Sequence, residues 1–153
     1  MIINGLSEMK KFANKLASGL REGDVLNLIG EMSAGKTTLT GFISQYFSIE
    51  DSSSPTFAIV NIYEVDIKIY HLDLYRFDDP DEILDIDYET YFYPDDGLTI
   101  LEWGENVADY LPEDMINLEI RKIDENKREI TISDDSRRGR ELNEYLDDFN
   151  IKW

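Results

Sequence analysis

The residues with the clearest chemical signature form one glycine-bordered run at positions 30–37. In loops of the pattern G-x-x-x-x-G-K-[ST], the glycines let the backbone curl closely around an anion, and successive N–H groups point at phosphate oxygens. The lysine adds a positive charge for the β- and γ-phosphates, and the final hydroxyl can ligate Mg²⁺. The run therefore predicts a nucleoside-triphosphate site. Its members are Gly30, Glu31, Met32, Ser33, Ala34, Gly35, Lys36 and Thr37.

The segments on either side of this run are those that a phosphate-binding loop needs. Residues 25–29 predict a short buried strand, and residues 36–47 predict a helix. The amino end of that helix adds its positive dipole to the anion site. A chance match in an ordinary glycine-rich turn is the alternative, and the strand–loop–helix context argues against it.

Two acidic residues are candidates for completing the site, because such loops use a carboxylate at the end of a neighbouring strand to organise the metal. Asp73 lies in the β-rich segment 67–75, and Glu102 lies near the end of an apolar strand predicted at 98–103. Both could also be ordinary surface acids in a chain with 33 acidic residues. Spacing alone leaves open which would organise Mg²⁺ and which would orient the attacking water. The single histidine, His71, is interpreted as a structural hydrogen-bonding group.

The elements that must position these residues alternate between helix and strand. A helix from Ser7 is predicted by an apolar face that ends at Leu20, and a C-terminal helix is predicted at 138–149. Two antiparallel hairpins are predicted at 57–65 with 67–75 and at 115–123 with 127–132, and a short helix at 105–111. This alternation predicts an α/β sandwich with a mixed sheet.

The composition limits the classes of function. The chain has 15 basic and 33 acidic residues and a formal net charge of −18, so it repels nucleic acids and anionic lipids at long range. The length predicts a single domain over residues 1–153, and the absence of cysteine removes disulfide and thiolate chemistry. No apolar run reaches the length of a membrane span, and no secretory signal is recognisable at the N-terminus. We therefore expect a cytoplasmic protein without membrane contact.

Two charged segments each allow two interpretations. Residues 78–96 hold nine acidic residues and no lysine or arginine. A solvated loop with a short helix after Pro80 is favoured over a docking surface for a basic partner, although aromatic residues at 88 and 91–93 support the latter. The basic segment 137–140 is interpreted as a solvated helix start rather than a contact for an acidic partner or phosphate.

Several separated motifs together resemble the TsaE family of small bacterial P-loop ATPases. Beside the loop and the adjacent Thr38, the matching pieces are SPTF at 54–57, HLDLYR at 71–76 and LEW at 101–103, and the similarity runs from about residue 6 to about residue 132. The resemblance implies a P-loop NTPase-like three-layer sandwich with a mixed, mainly parallel sheet and antiparallel hairpins. It also implies a subunit that binds ATP and Mg²⁺, hydrolyses ATP slowly and docks on the TsaB–TsaD complex. The implied role is to support threonylcarbamoyladenosine modification of tRNA, which is reached only through the partners.

The resemblance also implies residue roles. Thr56 looks like the switch-type threonine that approaches the metal and the γ-phosphate. Asp73 looks like the Mg²⁺-organising carboxylate, and Glu102 looks like the acid that positions water or metal. Trp103 is similar to a nucleotide-pocket residue, with a core tryptophan as the alternative. Arg76 is assigned a bracing role.

Departures from the family pattern leave other functions open. Glu31, Met32 and Ser33 replace the usual Asp, Leu and Gly of the loop, which lowers the expected nucleotide affinity. A nucleotide-sensing interaction module without useful hydrolysis is one alternative. A small-molecule kinase is disfavoured because residues 78–96 contain no arginine for a phosphate-covering lid. The chain lacks a guanine-reading Asn-Lys-x-Asp motif, which favours ATP over GTP.

Overall fold

The computed structural model describes residues 1–49, 60–64 and 67–151. The described part contains strands, α-helices and two 3₁₀ helices, labelled η1 and η2, in an alternating order. The strands are β1 (Ile2–Asn4), β2 (Val25–Ile29), β3 (Val60–Glu64), β4 (Lys68–Asp73), β5 (Gly97–Glu102), β6 (Ile116–Lys122) and β7 (Lys127–Ile132). The helices are α1 (Gly5–Gly19), α2 (Lys36–Tyr46), η1 (Pro80–Asp85), α3 (Tyr88–Phe92), η2 (Gly104–Tyr110) and α4 (Arg137–Ile151).

The strands form one mixed sheet with the order β1-β7-β6-β2-β5-β4-β3. Its centre is parallel, because β2 pairs in parallel with both β5 and β6, and β4 pairs in parallel with β5. The two margins are antiparallel, through β3 with β4, β6 with β7, and β1 with β7. The predicted mixed sheet and both hairpins are therefore confirmed.

Apolar residues on both faces of the sheet produce the three layers. On one face, α1, α2 and α4 pack over alternate strand residues such as Leu26, Leu28 and Ile100. On the other face, η1, α3 and η2 cover Val25, Leu101 and their neighbours. The central strands are thus buried on both sides, as parallel strands require. The carboxyl ends of β2, β4 and β5 share one edge, so the phosphate loop and both candidate carboxylates lie there.

Several predicted boundaries were wrong by a few residues. Strand β1 was not predicted, because a strand of three residues shows no periodic pattern. Helix α1 starts at Gly5 rather than being capped by Ser7, and the Asn4 N–H is bound instead by the Glu8 carboxylate. The short helix predicted at 105–111 is η2, with a kink at Val107. Residues 57–59 and 65 of the predicted first hairpin lie outside the described residues.

The C-terminal helix also differs from its prediction. It starts at Arg137, and Arg138 is buried rather than solvated. Neither interpretation of the basic segment included this burial. Among the described helices, none has the length and apolar character needed to cross a membrane.

Candidate functional site

The glycines that border the phosphate loop are fixed by backbone geometry. A Cβ on Gly30 would lie 2.6 Å from the carbonyl oxygen of Ile120, so the loop can leave β2 beside β6 only without a side chain. Gly35 has φ +116, a left-handed conformation that side chains disfavour, and it caps the amino end of α2. The sequence pattern therefore produces the tight strand–loop–helix turn that a phosphate loop requires.

The three loop residues that depart from the family pattern point into solvent. Glu31, Met32 and Ser33 are exposed, whereas Ala34 is buried. In the described residues, the non-glycine positions with positive φ are Ser48 and Trp103. Ser33 therefore adopts its place in the loop without left-handed backbone strain.

Lys36 is the chemically most distinctive residue of the site. Its side chain is buried, with 3% of the residue exposed, and no hydrogen-bond partner is present for Nζ within the described part of the chain. The ammonium lies 4.0 Å from the centre of the Trp103 ring. A cation–π contact of this kind replaces only part of the lost hydration, so the ammonium remains an unsatisfied donor. An anion at the amino end of α2 would satisfy it.

Trp103 is held in an unusual conformation beside this lysine. It follows β5 with φ 62 and ψ 35, the left-handed region, which costs a bulky residue about 1–3 kcal/mol. Its ring packs against Tyr75, with 5.1 Å between ring centres. This backbone conformation ends β5 and directs the indole toward the ammonium of Lys36. Trp103 is half-buried: it packs against the core cluster on this face of the sheet and also contacts the Lys36 ammonium.

The two candidate carboxylates end neighbouring parallel strands in register. Asp73 pairs with Glu102 across β4 and β5. His71 Nε2 lies 2.7 Å from Glu102 Oε2, and both side chains are buried. Because a carboxylate only accepts, the imidazole Nε2–H donates, and Nδ1 is buried without a hydrogen-bond partner among the described residues. The predicted structural role of His71 is thus to hold the Glu102 carboxylate.

Asp73 is only partly buried, and the pKa of its carboxyl is raised. Removal of its carboxyl from water raises its pKa above the ordinary range. A hydrogen bond from the Tyr75 backbone N–H to Oδ1, 3.1 Å long, opposes this rise in pKa. The neighbouring Glu102 carboxylate raises the pKa further, and His71 and Lys36 lower it. A further positive charge beside Asp73 would therefore stabilise the ionised carboxylate.

The remaining predicted residues differ in what the structure describes. Thr37 and Thr38 lie exposed in the first turn of α2, next to Lys36. Arg76 is exposed after the end of β4. Thr56 lies outside the described residues. No group of three or more acidic or histidine side chains in residues 1–49, 60–64 and 67–151 forms a ready metal site, and Mg²⁺ in phosphate sites is ordinarily held by few carboxylates together with phosphate oxygens.

Arg128 is a site residue that sequence reasoning missed. From β7 its Nε donates to the carbonyl oxygen of Ala34 in the loop, at 2.7 Å. Its Nη1 donates to the carbonyls of Asp124 and Lys127, at 2.7 and 3.1 Å. The guanidinium thus ties the β6–β7 hairpin to the phosphate loop and fixes the direction of the peptide before Gly35. Arg128 also lines a cavity with Thr38, between the start of α1 and this hairpin.

The sheet, the phosphate loop and the buried lysine together define a P-loop α/β protein. The sequence pattern of the family described as "Threonylcarbamoyl adenosine biosynthesis protein TsaE" matches residues 3–130. This chain therefore belongs to the TsaE family.

Individual relatives agree with this assignment. The tRNA threonylcarbamoyladenosine biosynthesis protein TsaE of Bacillus subtilis is 35% identical over 128 residues, covering 82% of this chain and 79% of the relative. The protein of the same name from Aquifex aeolicus is 35% identical over 136 residues, covering 86% and 93%. A crystal structure of Bacillus subtilis YdiB superposes with a TM-score of 0.81 at 27% identity, covering 98% of this chain and 94% of that one.

Proposed function

We propose that this chain is an ATP-binding, slowly hydrolysing subunit that works in threonylcarbamoyladenosine modification of tRNA. The names of the relatives support the pathway. The observation that carries the nucleotide part is the buried ammonium of Lys36, which has no hydrogen-bond partner in the described residues and lies at the amino end of α2. A buried, unsatisfied cation is costly unless a ligand completes it, and triphosphate oxygens have the matching charge.

The residues around Lys36 suggest how the ligand would be held. The backbone N–H groups of the loop and Lys36 bind the β- and γ-phosphates, while the Arg128 contact keeps the loop in shape. The cavity beside Thr38 takes the nucleoside. When the ligand binds, the Lys36 ammonium turns from the Trp103 ring to the phosphates, and the ring shields the ammonium from solvent.

Hydrolysis requires a metal and an oriented water. Mg²⁺, when bound with ATP, neutralises the charge that develops on the phosphates. Thr37 and Asp73 would hold it, and the added positive charge would stabilise the ionised form of Asp73. Glu102, fixed through the 2.7 Å contact with His71, would orient the attacking water. Thr56 keeps its predicted switch role near the γ-phosphate.

The partner part of the proposal is that the chain docks on the TsaB–TsaD complex. The charge of −18 supports a protein partner over direct tRNA binding, since the phosphate backbone would be repelled. Arg128, an arginine at the loop, is already bound to the carbonyls of Ala34, Asp124 and Lys127. This agrees with slow turnover alone, because a partner can supply an arginine for the transition state. A kinase is disfavoured, since segment 78–96 contains no arginine for a phosphate-covering lid, and its helix α3 lies beside Val25, at the opposite end of β2 from the phosphate loop.

The test is ATP hydrolysis by the purified chain, with and without TsaB–TsaD, beside Lys36→Ala. We expect weak turnover alone, stimulation by the partners, and loss of both in Lys36→Ala. ATP binding without hydrolysis in either condition would favour the nucleotide-sensing module. Phosphate transfer to a small acceptor would favour the kinase. Salt-sensitive binding of tRNA by the chain alone would contradict indirect access to tRNA.

A further inference from the structure

A groove of about 700 Å³ lies at the opposite end of β2 from the phosphate loop. Its floor is formed by Gly23 and Val25, where β2 begins, and the loop follows Ile29, where β2 ends. At about 3.3 Å per residue, some 13 Å of strand separate the two sites. One wall of the groove is α3, and the other is the segment 109–114 that leads from η2 into β6.

Three aromatic side chains of the groove pack against one another. The Tyr88 ring packs edge-on against Phe92 within α3 and against Tyr110 of the opposite wall, with ring centres 5.7 and 5.6 Å apart. The Tyr110 hydroxyl donates to the Asp81 carboxylate, which raises the pKa of Tyr110 to about 12 and keeps the phenol neutral. Tyr93 adds a ring that is 59% exposed. A binding partner would therefore meet fixed apolar surface at little cost in side-chain ordering.

Both walls also carry carboxylates. The four acidic residues of the groove are exposed, and no lysine or arginine is among its described lining residues. Glu89, Asp109 and Glu113 have no hydrogen-bond or ion-pair partner for their carboxylates among the residues described here. The carboxylate of the fourth residue, Asp114, already interacts with an arginine of this chain. Its Oδ1 accepts the Arg137 backbone N–H at 3.0 Å, and its Oδ2 lies 3.8 Å from the Arg137 guanidinium.

We propose that this groove, bounded by Tyr88–Phe92 and residues 109–114, is a docking site for an arginine-bearing segment of a partner protein. Unpartnered carboxylates on both walls match the charge of such a segment, and guanidinium groups pair with carboxylates while stacking on aromatic faces. A lysine-bearing segment fits less well, because an ammonium is more strongly hydrated and cannot stack. The inference refines the docking step of the proposed function and rests on it only for the identity of the partner.

The experiment measures binding of a short fluorescein-labelled peptide of alternating arginine and leucine by fluorescence anisotropy. The groove variant is Glu89→Gln/Glu113→Gln. The control variant, Glu119→Gln/Glu144→Gln, removes the same charge from two exposed residues outside the groove. We expect the groove variant to weaken binding about tenfold and the control less than about twofold. Tyr93→Ser should also weaken binding, since it removes a stacking surface without changing charge.

Three results would overturn the inference. Equal weakening by both double variants would show that only the net charge attracts the peptide. Equal binding of a peptide with citrulline in place of arginine would remove the guanidinium from the recognition. Displacement by spermidine at the same concentration as the peptide would assign the groove to polyamines. A fluorescent ATP analogue should bind the groove variant with unchanged affinity, so failure of this inference and failure of the nucleotide proposal are distinguishable.

Discussion

Two cations are buried in the described part of this protein, and their surroundings are opposite. Arg138, at the start of α4, donates to both carboxylate oxygens of Asp24, at 2.7 and 2.8 Å, and to the Gly19 carbonyl at 3.0 Å. Lys36, in the phosphate loop, lies against the face of the Trp103 ring, and within the described residues its Nζ has no hydrogen-bond partner. A buried charge with a full set of partners holds elements together. A buried charge without them marks a place where a ligand supplies what the protein lacks.

The largest expected effect comes from Arg138→Met. Breaking this pair leaves the Asp24 carboxylate buried, and we expect the free energy of unfolding to fall by about 3 kcal/mol. Urea denaturation measures the loss. The matched control is Arg137→Met, which removes an exposed guanidinium one position earlier and should change stability by less than about 0.5 kcal/mol. Equal losses from both variants would mean that the Asp24 contact is not what anchors α4.

Lys36→Met should have the reverse pattern. Without nucleotide, we expect the variant to be about 1 kcal/mol more stable, because an unsatisfied ammonium is no longer buried. ATP affinity should fall about 100-fold, the loss expected for a buried charge that bonds to phosphate. Thermal unfolding and titration with a fluorescent ATP analogue measure the two effects. Lys11→Met, at an exposed position of α1, should change neither. A destabilised Lys36→Met would assign the ammonium a structural role.

Arg128 shares a property with each of these two cations. Like Arg138 it bonds to groups of the protein, and like Lys36 it lies at the proposed ligand site. Arg128→Met removes the bond to the Ala34 carbonyl, and we expect ATP affinity to fall about tenfold, a typical value for one charge-assisted hydrogen bond. Arg121→Met, on the adjacent strand, is the control, since its guanidinium is exposed and pairs with the half-buried Glu129. Loss of stability with unchanged ATP affinity would mean that Arg128 only stabilises the β6–β7 hairpin and does not contribute to nucleotide binding.

The sequence predicts what depends on neighbouring residues and misses what depends on distant ones. The phosphate loop, β2 and α2 follow from one continuous pattern, and both carboxylates follow from their places at strand ends. The contact of Arg128 with Ala34 joins residues 94 positions apart, and that of Arg138 with Asp24 joins residues 114 apart. No local periodicity encodes such pairs.

The same distinction applies to single residues. The left-handed backbone of Trp103 is imposed by its surroundings, since a tryptophan in sequence predicts extended or helical backbone. The burial of Arg138 was missed because a run of basic residues is ordinarily solvated, and only the fold brings Asp24 beside it. The acidic segment 78–96 was recognisable by charge, but its groove forms only with residues 109–114 of the opposite wall.

The smallest expected effect concerns Asp73. Like Lys36 it is a charged group removed from water, but it is only partly buried, and its pKa is raised. A raised pKa means that the folded chain binds this proton more tightly than the unfolded chain, so stability falls as pH rises from the ordinary aspartate pKa through the raised one. Above that window, Asp73→Asn should be more stable by about 0.5 kcal/mol, a small value because the carboxyl is partly solvated. The gain should vanish below the window. Urea denaturation across this pH range measures it, with exposed Asp85→Asn as the control. Mg²⁺-dependent hydrolysis should be lost in Asp73→Asn, and a variant that loses stability at neutral pH would contradict the desolvation of this carboxylate.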